Sequence, residues 1–201
     1  LESLELDDLE KVKLMWVSYP HMPTGATATM EQLSALVAFA KRNDILLVND
    51  NPYSFVLSEN PISLLSIPGA GSVALELNSL SKTFNMAGWR LGYCVGNKKL
   101  IEGLAKIKGY YDYGIFSPIQ VSGIVALRDC DDDVRQQAGA YQNRRDTLCQ
   151  GLESMGWPVQ KPGAGMFVWV PIPEPYCRLG SMKFAIHMME NANVAVAPEI
   201  L

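Results

Sequence analysis

A short apolar run, an amphipathic helical stripe and a second short apolar run follow one another between residues 13 and 49, and that order leaves few architectures open. Lys13-Leu14-Met15-Trp16-Val17-Ser18 is the pattern of a strand covered on both faces of a parallel sheet. Tyr19-Pro20-His21-Met22-Pro23-Thr24-Gly25 ends it, because prolines cannot donate to a ladder. Thr29 followed by Gln32 fits a capping box, and Met30, Leu33, Leu36, Val37 and Ala40 recur at helical spacing, which predicts a helix to about Arg42. Residues 44–49 read as the next buried strand. Strand, helix, strand is the βαβ unit of a parallel sheet, whose ligands gather at the carboxyl ends of the strands. The expected class is α/β, a mostly parallel sheet flanked by helices.

At one such end lie Asp50 and, three residues on, Tyr53. A third apolar run, residues 73–77, leads directly into Ser79-Leu80-Ser81-Lys82 and then Gly88-Trp89-Arg90-Leu91-Gly92. A strand feeding such a loop presents a nucleophilic amine beside two hydroxyls and a cation, which suits a lysine that forms an imine while its neighbours hold a phosphate. Ser-x-Ser-Lys by itself is most often a solvated lysine after a strand. Here it stands with Pro23-Thr24-Gly25, Asn49-Asp50-Asn51-Pro52-Tyr53 and Gly88-Trp89-Arg90-Leu91-Gly92, in that order.

With these motifs the chain resembles, over nearly its whole length, the pyridoxal-phosphate-dependent aminotransferases of classes I and II (fold type I). The resemblance implies that Lys82 is the catalytic Schiff-base lysine, that Asp50 pairs with the pyridine nitrogen of pyridoxal 5'-phosphate, and that Tyr53 hydrogen-bonds the ring hydroxyl. It implies that Arg90 and Ser79 hold the phosphate, with Ser81 as a further candidate. The reaction implied is transfer of an amino group between an amino acid and a 2-oxo acid, in a homodimer whose subunits complete each other's sites. One position departs from the family, which usually has Asn directly before Pro-Thr-Gly; this chain has Met22, whose thioether cannot donate a hydrogen bond. Tyr53 is then expected to hold the ring oxygen alone or with His21, a residue that also reads as an ordinary polar loop position.

The rest of the chain fits this frame. Residues 91–96 read as a further strand, and Asn97 to about Asp112 as a helix with Leu100, Ile101, Leu104 and Ile107 on one face. Tyr110, Tyr111, Tyr113 and Phe116 are expected to pack beneath a loop, which the resemblance places near the dimer interface and active site. Ser117-Pro118 opens another helix, to about Leu127. Asp131, Asp132 and Asp133 supply negative charge where the next helix starts, a long one over residues 134–155. A loop and strand over residues 161–170, a helix over 181–192 and a strand opening at 194–197 follow. The acidic residues 1–11 suit a helix end or connector. By the resemblance, residues 1–140 are the later part of the cofactor-binding large domain, and 141–201 hold the interdomain helix and part of a smaller α+β domain. Further cofactor- and substrate-binding groups would then lie outside this sequence, so the chain, which begins at Leu1, is expected to be a piece of a longer protein.

Composition narrows the classes further. The net charge of −4 gives no electrostatic footprint for nucleic acid. The four cysteines are widely spaced, with no metal-ligand spacing and no dense disulfide framework, which points to a reduced, cytoplasmic protein. No apolar run reaches membrane-spanning length. Two other functions fit the same core motifs: a carbon–sulfur β-lyase using the same cofactor, and the ligand-sensing domain of a transcription regulator. Release of pyruvate and ammonia without an amino acceptor distinguishes the first, and a winged-helix segment upstream the second.

Overall fold

A computed structural model describes residues 9–58 and 61–199. Four strands, β1 (Leu14–Val17), β2 (Leu46–Asp50), β3 (Ala74–Ser79) and β4 (Gly92–Gly96), form one sheet in the order β1-β2-β3-β4. The first two pairings are parallel, with Trp16 opposite Val48 and Asn49 opposite Glu76. The third is antiparallel, with Ser79 opposite Gly92. No long crossover helix separates β3 from β4: the chain turns back at the same edge of the sheet, where the Leu80 amide donates to the Leu91 carbonyl at 3.1 Å.

The helix of the βαβ unit is α1 (Met30–Arg42), and its start follows from the capping box. Gln32 N donates to Thr29 Oγ1 at 3.2 Å, and Thr29 N donates to Gln32 Oε1 at 2.9 Å. Two amides at the helix entrance are thereby satisfied. Leu33, Leu36, Val37 and Ala40 of α1 are buried with Ile45, Leu47, Leu64 and Ala74, forming the core on one face of the sheet. Thr29→Ala is expected to lower stability by about 0.5–2 kcal/mol, read as a fall in the urea unfolding midpoint.

Strand β1 departs from the expectation of burial on both faces. Met15 and Val17 pack on the core, whereas Leu14 and Trp16 are exposed, so the strand alternates as one covered on a single face does. Beyond β4 the chain is helical: α2 (Leu80–Thr83) is a single turn, followed by α3 (Lys98–Asp112), α4 (Ser117–Asp129), α5 (Asp131–Ser154) and α6 (Gly180–Ala192). The three aspartates form the first turn of α5, where the macrodipole favours them. The apolar face of α3 is not buried: Ile107 is exposed, and Tyr110, Tyr111, Tyr113 and Phe116 stand in solvent rather than packing beneath a loop, because no other described segment lies over them. The strands expected within 161–170 and at 194–197 are not formed, since neither segment finds a strand partner among the described residues. Leu9–Lys11 form a 3-10 turn, and the remainder of the expected helix end or connector lies outside the described residues. No helix among the described residues is long and apolar enough to cross a membrane.

Candidate active site

Register brings the expected site residues to one edge of the sheet. Asp50 is the last residue of β2 and pairs with Leu77, two positions before Ser79 ends β3. The Asn51 amide extends that pairing by donating to the Leu77 carbonyl at 2.9 Å. Lys82 follows in α2, and the Leu80–Leu91 hydrogen bond brings Arg90 back beside the same strand end. Tyr53 lies in the turn after Asp50 and is 8% exposed.

Within the chain these groups differ in how far they are engaged. Ser79 Oγ accepts from Ser81 N at 3.1 Å, which leaves its own hydrogen available to donate. Arg90 is exposed, has a left-handed backbone with φ 54°, and donates from Nη1 to Ala87 O at 2.8 Å. Its remaining N–H groups stay available. Ser81 and Lys82 are half-buried. The Asp50 carboxylate, the Tyr53 hydroxyl and the Lys82 amine have no hydrogen-bond or ion-pair partner among the described residues. Burial pushes the Tyr53 phenol above its ordinary pKa, and the negative charge of Asp50 pushes it further the same way. Tyr53 therefore stays protonated at neutral pH and is a hydrogen-bond donor.

Two loops wall this edge. The buried Asn49 grips the backbone of Tyr19 with both ends of its amide, accepting from Tyr19 N at 3.0 Å and donating to Tyr19 O at 3.3 Å, which fixes the entry to the 19–25 turn. In that turn His21 Nδ1 lies 2.9 Å from Thr24 Oγ1, and Met22 is exposed. The second wall is the segment 162–167. Arg145 of α5 donates from Nη1 to Pro162 O at 3.1 Å, and Asp146 bridges Arg145 and Lys161 at 2.8 Å each. Phe167 meets the Tyr53 ring edge-on at 6.0 Å, and Met166 and Tyr141 pack on the cluster of Tyr53, Val56 and Leu57. Gln137 of α5 also donates to the Lys82 carbonyl.

The walls meet at Gly25. Its φ is +71°, and a Cβ there would lie 2.6 Å from both Ala164 O and Pro162 Cβ. Gly25→Ala is expected to cost about 1–3 kcal/mol for the left-handed backbone alone and to force the two loops apart. A lowered melting temperature together with faster proteolysis at residues 19–25 would register both effects. A cleft of about 630 Å³ lies between residues 83–86 and helices α4 and α5.

The family model for aminotransferase class I and II matches residues 2–200. The chain belongs to that family. It is 44% identical over its whole length to a glutamate-pyruvate aminotransferase, AlaC, of Escherichia coli, covering 49% of that protein. It is 42% identical to LL-diaminopimelate aminotransferase 2 of Trichormus variabilis, with 94% of this chain and 48% of that one aligned. The apo structure of BacF from Bacillus subtilis superposes with a TM-score of 0.93 at 34% identity, covering 98% of this chain and 50% of BacF. The chain thus spans about half the length of these proteins, and its sheet and helices are those of fold type I.

Within this aminotransferase fold, several residues that shape the edge carried no assignment from sequence. Asn49 and Asn51 flank Asp50 in the motif, but their side chains point to different tasks, one to the 19–25 turn and one to β3. Glu76 had a visible signal, a charged residue inside an apolar strand run. Phe167 had none, because its contact with Tyr53 spans more than a hundred positions.

Proposed function

We propose that the full-length protein is a pyridoxal-phosphate-dependent aminotransferase that exchanges an amino group between an amino acid and a 2-oxo acid. The observation that carries this reading is that a carboxylate, a phenol and an amine, all without partners among the described residues, stand at one sheet edge with two hydroxyls and a guanidinium. That donor set fits the group: an anion for a pyridinium, a neutral donor for a ring oxygen, an unpaired amine for an aldehyde, and hydroxyl and guanidinium donors for a phosphate.

When bound, pyridoxal phosphate supplies an aldehyde carbon and a ring that accepts the electron pair released at a substrate carbon. Asp50 holds the ring nitrogen in its protonated form by opposite charge. Tyr53 donates to the ring oxygen; Met22 offers no donor there. Ser79, Ser81 and Arg90 bind the phosphate oxygens, Arg90 through its planar fork. Lys82 would supply the amine that makes the covalent attachment, and that amine, when free, would take the proton from the substrate α-carbon.

The relatives' names suggest L-alanine, L-glutamate and LL-diaminopimelate as first donors to test. Assembly as a homodimer is part of the proposal, supported by the exposed apolar side chains of α3 and α4. A reducing, cytoplasmic setting is supported by the four free cysteines. The domain boundary near residue 140 would fall inside α5. The test is product analysis of the full-length protein with the cofactor and each donor. Oxo acid formed beyond one equivalent per enzyme only when an acceptor oxo acid is present supports transamination, whereas pyruvate and ammonia formed without an acceptor from an alanine carrying a sulfur leaving group on Cβ, run beside these donors, would assign a β-lyase instead.

A further inference from the structure

Among the described residues Asp50 and Tyr53 have no hydrogen bond at their own tips, so the shape of the turn that carries them must come from elsewhere. Residues 50–54 divide their labour by position. Asp50 ends β2 and Tyr53, itself buried, has a hydroxyl without a partner among the described residues, while Asn51 and Ser54, also buried, are hydrogen-bonded. Ser54 Oγ donates to Asn51 Oδ1 at 2.6 Å, and Asn51 Nδ2 donates to Oε1 of Glu76 at 3.1 Å. The other oxygen of the same carboxylate accepts from Leu64 N at 2.6 Å and Ser63 Oγ at 3.1 Å.

Glu76 is 6% exposed, on β3 between Leu75 and Leu77 and opposite Asn49. A carboxylate at such a position carries a large desolvation cost, and an apolar residue would fill a buried strand more cheaply. What it gains is three donors from two separate turns of the long β2–β3 connection. We propose that Glu76 is the positioning residue of the candidate active site, holding the Asp50–Tyr53 turn in shape through Asn51 and Ser54. The inference rests on the cofactor reading above for the purpose of the turn, but not for its geometry.

Three variants of the full-length protein separate this role from general stability. Asn51→Ala removes the link to the turn. Glu76→Gln keeps the side chain's size but sets a second N–H against either Asn51 or Leu64. Ser63→Ala removes a bond to the same carboxylate on the far side from the turn. In the cofactor-free protein, hydrogen exchange of the amides of residues 50–54 is expected to speed up about 10-fold in Asn51→Ala and Glu76→Gln and to change less than about twofold in Ser63→Ala. Absorbance titration should show the dissociation constant for pyridoxal phosphate rising about 10-fold in the first two variants only, with a weakened circular-dichroism band of the bound cofactor. If exchange, affinity and dichroism in Asn51→Ala and Glu76→Gln match those of Ser63→Ala, the positioning role is overturned. If the wild-type protein takes up no cofactor while the exchange pattern holds, Glu76 still shapes the turn, and it is the proposed function that fails.

Discussion

Glu76→Ala is expected to lower the stability of the protein by about 3–5 kcal/mol, because two or three buried donors each lose a partner at about 1–3 kcal/mol. Asn51 Nδ2 and the Leu64 amide are both buried and have Glu76 as their acceptor, so neither can turn to water without opening the sheet edge. Removal of a buried charge returns part of that cost, which keeps the estimate below the simple sum. Urea unfolding followed by fluorescence measures the effect. Ser54→Ala, which removes only the bond to Asn51 Oδ1, should cost about 1 kcal/mol. Equal midpoints for Glu76→Ala and Ser54→Ala would mean that water or a shifted loop replaces the carboxylate.

Lys82→Ala in the full-length protein should abolish retention of pyridoxal phosphate through dialysis and lower the transamination rate by at least the 10²–10⁴-fold or so that a positioned proton carrier contributes. Lys82→Arg should do no better, although it keeps the positive charge, because a guanidinium stays protonated and does not condense with an aldehyde. The pair of variants separates chemistry from electrostatics: a fall with alanine that arginine restores would make Lys82 a charge rather than a nucleophile. Lys82 suits the nucleophile because no carboxylate pairs with its amine among the described residues.

The fold was most legible where a local pattern decides the outcome. The spacing of Leu33, Leu36, Val37 and Ala40 and the Thr29–Gln32 box specify α1, and the apolar run before Asp50 specifies β2. The direction of β4 was not legible, since a run of strand residues carries no sign of which way it pairs. Nor was the covering of a face. Trp16, Ile107 and the tyrosines after it look like core by composition, yet they stand exposed, because burial depends on what packs against them.

The site followed the same division. Asp50 and Ser79 each stand one residue beyond an apolar run, with Lys82 three positions after Ser79, so a strand end could be assigned from sequence, and the parallel register then set Asp50 opposite Leu77 near the end of β3. The residues that shape the edge were hidden because their contacts are long in sequence. Glu76 meets Asn51 across 25 positions, and Asn49 meets Tyr19 across 30. Such pairings exist only once the parallel register is known.

The central claim is that this edge binds pyridoxal phosphate through one lysine, and mapping that lysine tests it most directly. The full-length protein would be incubated with the cofactor, reduced with borohydride to fix any covalent attachment, digested and sequenced by mass spectrometry. The account predicts a phosphopyridoxyl group on the peptide containing Lys82 and its loss in Lys82→Ala. A modified lysine elsewhere, with Lys82 recovered unmodified, would contradict it.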